Sequence, residues 1–319
     1  MRFATLPNGT PDGRLHVVSR DNARCMPSEV AVTLQAALEN WDALTPDLEK
    51  EYARLNQGGG QAFDMSQALA PLPRAWQWLD GSAFDSHGAL MDAAYKVKAE
   101  KIPGKPLMYQ GVSDRFYAGS EEVPFPTEDD GIDVEGEFGL ITTAVPMGTT
   151  DTLPHIALLV QINDWSLRKL GPPEMKTGFG WVQTKPACSV APVALTPDEL
   201  GDAWRDGRVD LPLTVEIKGE KLGAPQGYDM GFGFDQLVAH AAYSRALPAG
   251  TVVGSGTVSN ENCREVGSAC IAERRAIEMI DTGAPKTPFL EFGDHIRMEC
   301  RAKDGSPLFG EIAQTVTKA

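Results

Sequence analysis

Between Gly131 and Arg168 the chain places acids inside what otherwise reads as strand. The first stretch runs Gly131-Ile132-Asp133-Val134-Glu135-Gly136-Glu137-Phe138-Gly139-Leu140. An apolar run from Ile156 to Ile162 follows and ends in Asn163-Asp164-Trp165-Ser166-Leu167-Arg168. Side chains of an extended strand alternate sides, so Asp133, Glu135 and Glu137 share one face while Ile132, Val134 and Phe138 share the other. If the two strands are neighbours, Asp164 meets the glutamates where the second strand stops. Crowded carboxylates repel, and burying them unpaired is costly. A hard divalent cation with oxygen ligands resolves that conflict, which makes Mg2+ or Ca2+ the natural candidates, with Mn2+ a further option. An alternating acidic strand also describes an ordinary solvated sheet face, so the rest of the chain has to decide.

The 32 glycines and 23 prolines in 319 residues favour a turn-rich, strand-rich architecture over a helical bundle. This length accommodates one main domain and a smaller one. A formal net charge of -15 argues against a nucleic-acid partner, which would need clustered Lys and Arg. No apolar run approaches the roughly 20 residues of a membrane helix. The N-terminus meets Pro7 and Gly9 too early for a signal peptide. Five cysteines, at 25, 188, 263, 270 and 300, are an odd number without a Cys-x-x-Cys pair. That pattern supports neither a disulfide framework nor a zinc site, and a cytoplasmic protein with reduced thiols is expected. Cys263 and Cys270 read as small apolar packing residues.

Along the chain, Phe3 to Leu6 and Leu15 to Val18 read as a hairpin turning through Asn8-Gly9 and Asp12-Gly13. Ser28 has the character of an N-cap, with Val30, Leu34, Ala37, Leu38 and Trp41 following at helical spacing. Thr45-Pro46-Asp47 is expected to open a second helix with proline at its first position, and Gly58-Gly59-Gly60 to end it. This α+β module, residues 1–73, closes near Pro71-Leu72-Pro73. The main domain, 74–319, carries an expected helix from Gly88 to Glu100, a strand over Leu211 to Ile217 and a helix over Gly233 to Arg245. The fold class is α+β, mostly β.

His87 is the histidine best placed for chemistry: it follows an apolar, aromatic run at a helix start, seven residues after Asp80. Histidine moves protons near neutral pH, although a lone histidine at a helix start is commonly structural. His16 and His155 read as strand-edge positions, His240 as helix surface, and His295 as a turn residue; none has a metal-ligand partner in sequence. The cations Lys96, Arg168 and Lys185 surround these motifs, and Gly254-Ser255-Gly256-Thr257 offers backbone N–H groups and a hydroxyl to a carboxylate.

Together these motifs resemble the fumarylacetoacetate hydrolase family over nearly the whole chain. They are Leu79-Asp80-Gly81-Ser82-Ala83-Phe84-Asp85-Ser86-His87, Met108-Tyr109-Gln110-Gly111, Asp133-Val134-Glu135-Gly136-Glu137, Asn163-Asp164-Trp165-Ser166-Leu167-Arg168, Lys185 and Gly254-Ser255-Gly256-Thr257. The resemblance implies a mixed β-sandwich roll preceded by the small N-terminal domain of the bacterial branch. It implies that Asp80, Glu135, Glu137 and Asp164 are divalent-cation ligands and that His87 is the catalytic histidine, oriented by Glu273. It further implies that Tyr109, Arg168, Lys185 and Thr257 contact substrate or the metal site, and that the protein is a homodimer. Relative to animal members, Lys96 replaces an arginine, Gly171 a glutamine, and Gln110 a histidine. Lysine keeps the charge but loses the planar fork that grips a carboxylate twice.

The implied activity is hydrolysis of a carbon-carbon bond in a β-diketone acid, fumarylacetoacetate first, in aromatic amino-acid catabolism. His87 would take a proton from water while Lys185 stabilises oxyanion charge. Acylpyruvate hydrolysis, oxaloacetate decarboxylation and 2-keto-4-pentenoate hydration on the same site are alternatives. So, from another class, is a non-catalytic, metal-dependent dicarboxylate binder.

Overall fold

A computed structural model describes residues 1–95 and 102–319. The first hairpin forms as expected: β1 (Arg2–Leu6) pairs antiparallel with β2 (Arg14–Val18), and β3 (Arg24–Pro27) follows. Two helices come next, α1 (Leu34–Glu39) and α2 (Trp41–Asn56), then the short β4 (Gln61–Ala62). Two local expectations fail here for identifiable reasons. Ser28 caps no helix: its hydroxyl donates to Glu51 and accepts from the amides of Val30 and Ala31 in a local turn. Thr33 caps α1 instead, accepting from Ala36 N at 3.1 Å. Pro46 lies inside α2 rather than at its start, and the preceding Thr45 hydroxyl donates to Trp41 O at 2.7 Å, satisfying a nearby carbonyl.

The second part of the chain supplies β5 (Trp78–Gly81), α3 (Asp85–Tyr95), β6 (Met108–Gly111), β7 (Tyr117–Ala118), β8 (Val123–Phe125), β9 (Ile132–Asp133), β10 (Gly136–Thr142), β11 (Ile156–Asn163) and β12 (Ser166–Leu167). After α4 (Gly171–Thr177) come β13 (Ser189–Val190), β14 (Ala194–Leu195), β15 (Trp204–Arg205), β16 (Arg208–Val209), β17 (Thr214–Ile217) and β18 (Glu220–Gly223). The chain ends through α5 (Phe234–Ala241), β19 (Val252–Gly254), α6 (Cys263–Val266), α7 (Ile271–Thr282), β20 (His295–Arg301) and β21 (Pro307–Lys318). The helix expected to reach Glu100 is described as far as Tyr95; its remainder lies outside the described residues.

Most strands join one mixed sheet in the order β4-β3-β2-β1-β14-β11-β10-β19-β5-β6. The N-terminal strands therefore extend the sheet of the main part, with Arg2 opposite Leu195 and Phe3 opposite Ala194. A second sheet, β18-β17-β20-β21-β8, packs against one face of the first; Phe138 meets Phe309 there with ring centroids 6.1 Å apart. Helices α1 and α2 cover the other face through Leu34, Leu38, Leu48 and Leu55 against Phe3, Leu15, Leu158 and Ile162. Consequently β10 and β11 are buried on both faces over their whole length, as the near-continuous apolar run of β11 requires. His16, expected at a strand edge, is instead buried in the interior of the sheet between β1 and β3. Among the described residues no helix is long and apolar enough to cross a membrane.

Candidate active site

The acidic stretch is not one alternating strand. Asp133, at the end of β9, pairs with Ser166 of β12, whereas Gly136 opens β10 opposite Asn163; Val134 and Glu135 form the break between them. The break turns Asp133 to the start of α7, where it shares Arg168 with Glu135. Its fully buried carboxylate accepts from Ile271 N at 2.8 Å and Ala272 N at 2.9 Å, at the start of α7, and from Arg168 Nε at 2.7 Å. An acid at a helix N-terminus satisfies orphan amides and the positive end of the dipole. Asp133→Ala would strand both amides and the guanidinium; a loss of about 3–5 kcal/mol in chemical denaturation is expected, and a loss under about 1 kcal/mol would contradict this role.

The three strands β10, β19 and β5 lie side by side with Gly139, Gly254 and Asp80 in register. Asp80 thus sits two strands from Glu137, and Asp164 arrives from the end of β11. Carboxylate oxygens of Asp80, Glu137 and Asp164 all lie within 4.8 Å of one another, and all three residues are buried. Glycine makes the space. A Cβ at Gly254 would fall on Asp80 Oδ1 and 2.8 Å from Glu137 Oε2. Gly256, held at φ +76°, donates its amide to Asp80 Oδ1 at 3.0 Å. Neither oxygen of Glu137 has a hydrogen-bond partner among the described residues. Two buried carboxylate oxygens without a hydrogen-bond partner, facing two further acids, fit a hard divalent cation.

Burial first, and then the neighbouring acids, push Asp80 and Glu137 well above the usual carboxylate range; burial also raises Asp164, with Lys185 opposing. The sign of the pH dependence follows. The folded, ion-free chain keeps protons that an unfolded carboxylate releases near pH 4, so this site destabilises the fold as pH rises from there toward the raised values. A bound cation replaces those protons. Saturating Mg2+ or Mn2+ should therefore stabilise the chain more at about pH 8 than at about pH 5; an equal gain in Tm at both would contradict this.

Around the trio the charges are matched. Lys185 Nζ lies 2.6 Å from Asp164 Oδ2 and 2.5 Å from Glu135 Oε2. Arg168 Nη1 lies 2.7 Å from Glu135 Oε1. Glu135 is therefore held by two cations, outside the trio. Burial would raise its carboxyl, but Lys185 and Arg168 outweigh burial and hold it below the usual range. Burial likewise opposes the charge of Lys185, and Asp164 with Glu135 more than restore it. The Tyr109 hydroxyl donates to Asp164 Oδ2 at 2.8 Å, and the Trp181 ring leans on Tyr109 at 5.2 Å. Arg168 Nη2 is buried without a partner among the described residues. Thr257 is buried one residue beyond the Gly256 amide. Lys96 lies outside the described residues.

His87, in the first turn of α3, meets Glu273, in the first turn of α7: Nδ1 and Oε1 are 2.9 Å apart. Glu273 is fully buried, whereas the His87 side chain is 17% exposed. His87 also lies close to Glu135.

Three neighbours escaped the sequence reading. Cys188 donates to Asp164 Oδ1 at 2.9 Å, Cys270 caps α7 by accepting from Glu273 N at 3.3 Å, and Trp181 walls the site beside Tyr109. Cys270 is thus more than the packing residue expected of it. A cysteine in Ala269-Cys270-Ile271-Ala272-Glu273 does stand where serine or threonine would signal a capping box, and that signal could have been read.

The family model for the fumarylacetoacetate (FAA) hydrolase C-terminal region matches residues 77–317, and that for fumarylacetoacetase N-terminal domain 2 matches residues 1–74. A 2,4-didehydro-3-deoxy-L-rhamnonate hydrolase of Sphingomonas sp. (strain SKA58) is 26% identical over 161 residues, 49% of this chain and 54% of that protein. The chain therefore spans about half the length of this curated relative. Maleylpyruvate hydrolase of Sphingobium sp. SYK-6 superposes with a TM-score of 0.66 at 16% identity, covering 100% of both chains, and has been crystallised with manganese(II) and pyruvate. The 5-carboxymethyl-2-hydroxymuconate delta-isomerase of Mycobacterium smegmatis superposes with a TM-score of 0.62 at 15% identity, covering 100% of this chain and 99% of that one. With both of its parts matched in order along nearly all of its length, the chain belongs to the fumarylacetoacetate hydrolase family.

Proposed function

We propose that the chain is a divalent-cation-dependent hydrolase that cleaves a carbon-carbon bond in a short β-diketone or 2-oxo acid, with fumarylacetoacetate the first substrate to test. One observation carries this reading: the His87–Glu273 pair lies close to Glu135, which shares Lys185 with Asp164 of a buried acidic trio whose glutamate has no partner. A relative crystallised with manganese(II) and pyruvate, a 2-oxo acid, supports the same substrate class.

Asp80, Glu137 and Asp164 would hold the cation, with Glu135 able to join them if Lys185 or Arg168 shifts. The cation supplies Lewis-acid polarisation of a substrate carbonyl. His87 donates Nδ1–H to Glu273, which leaves the Nε2 lone pair free to accept a proton from water. Glu273 then offsets the positive charge that the ring acquires. Water, stripped of that proton, adds to the carbonyl; the adduct collapses to a carboxylic acid as the adjacent carbon-carbon bond breaks, and the leaving carbon, released as an enolate, takes the proton back from His87 Nε2. Lys185 brings positive charge to the oxygen where negative charge develops. The unpartnered Nη2 of Arg168 is a donor suited to the substrate's carboxylate.

Initial rates with fumarylacetoacetate, acylpyruvates and oxaloacetate, with Mg2+ or Mn2+ and again with EDTA, test the reading. Ion-dependent hydrolysis of a diketone acid is expected. Decarboxylation of oxaloacetate alone, or ligand-induced stabilisation with no product from any substrate, would overturn it.

A further inference from the structure

We propose that His87, Cys270 and Glu273 form a second cation site, separate from the acidic trio and selective for a thiophilic divalent ion such as Zn2+ or Cd2+. Ligand atoms from these three residues lie within 4.8 Å of one another. Imidazole, thiol and carboxylate suit zinc-like ions, whereas Mg2+ and Ca2+ take oxygen alone. Three protein ligands leave a fourth tetrahedral position for water.

One observation beyond proximity supports the site. Glu273 Oε2 is fully buried and has no hydrogen-bond partner among the described residues, so a donor atom is already desolvated and free. Burial, and then Asp133 and Glu273, hold the Cys270 thiol well above its usual range, so its proton leaves only in exchange for a bound cation, and its sulfur already accepts from Glu273 N. The partly exposed His87 gives an approach from solvent. On binding, the thiol proton leaves to solvent and the sulfur–metal bond takes its place. An ion here would also occupy the imidazole, silencing the proposed base. That consequence rests on the proposed function; binding itself does not.

The test is titration of the Mg2+-saturated protein with Cd2+, following the ultraviolet thiolate-to-cadmium charge-transfer band, in wild type, Cys270→Ser, Cys188→Ser and His87→Ala. Cys188, beside Asp164, is the rival thiol. A band rising to one equivalent in wild type and in Cys188→Ser, and lost in Cys270→Ser, is expected. His87→Ala should weaken Cd2+ at least about tenfold. A band that persists in Cys270→Ser or vanishes in Cys188→Ser would overturn the proposal. Should Cys270→Ser not fold, an unchanged Cd2+ affinity in His87→Ala overturns it instead.

Discussion

Replacing His87 by alanine is expected to lower kcat by about 10³-fold, within the range a positioned base contributes, while Mn2+ binds as before. The two halves of this expectation come from different elements. His87 belongs to α3 and is oriented by Glu273 of α7, whereas the acidic trio is built on β5, β10 and the end of β11. Losing the ring leaves every carboxylate of the trio and its glycine-made space untouched. Glu273 loses its partner, so Glu273 itself becomes a buried, unpaired carboxyl, and a modest loss of stability should accompany the loss of turnover. Steady-state rates combined with Mn2+ titration calorimetry separate these effects. Turnover within about tenfold of wild type would remove His87 from the role of base.

Glu137→Gln should weaken Mg2+ or Mn2+ about 100-fold or more, since even outer partners of a metal site cost 10–100-fold. Activity would fall with it at any practical ion concentration. The same change should make the ion-free chain more stable at neutral pH, because it removes one of three carboxylates that burial and mutual repulsion disfavour. Opposite signs on ion affinity and ion-free stability distinguish a metal ligand from a structural acid. A structural acid, once neutralised, would destabilise the chain and leave ion binding alone. Calorimetric Kd and Tm in EDTA are the two readings; a lower Tm with unchanged Kd would sink the assignment.

Local pattern in the sequence carried much of the architecture. The hairpin at Phe3–Val18 followed from turn chemistry, and the apolar run from Ile156 to Ile162 became β11. Asp164 was expected where the second strand stops, and that is where it comes within reach of Glu137. Pairing between distant segments was not legible. Asp133 was grouped with the glutamates because strand alternation demands it. The ribbon of β9 with β12 interrupts that alternation at Val134–Glu135, and no residue there announces a break. Capping failed in a similar way: Ser28 is an ordinary cap by type, but Glu51, 23 residues later, takes its hydroxyl. Cys188 was hidden because a buried thiol and a thiol touching a carboxylate look the same in composition. The continuity of one sheet through residues 1–73 was equally invisible, since it rests on β1 meeting β14 almost two hundred residues away.

An anomalous difference map from crystals soaked in Mn2+ addresses the acidic trio most directly. The peak should lie about 2.0–2.2 Å from carboxylate oxygens of Asp80, Glu137 and Asp164, and it should be absent in Glu137→Gln. A map without density among these three residues, or with the ion bound only elsewhere, would contradict the account.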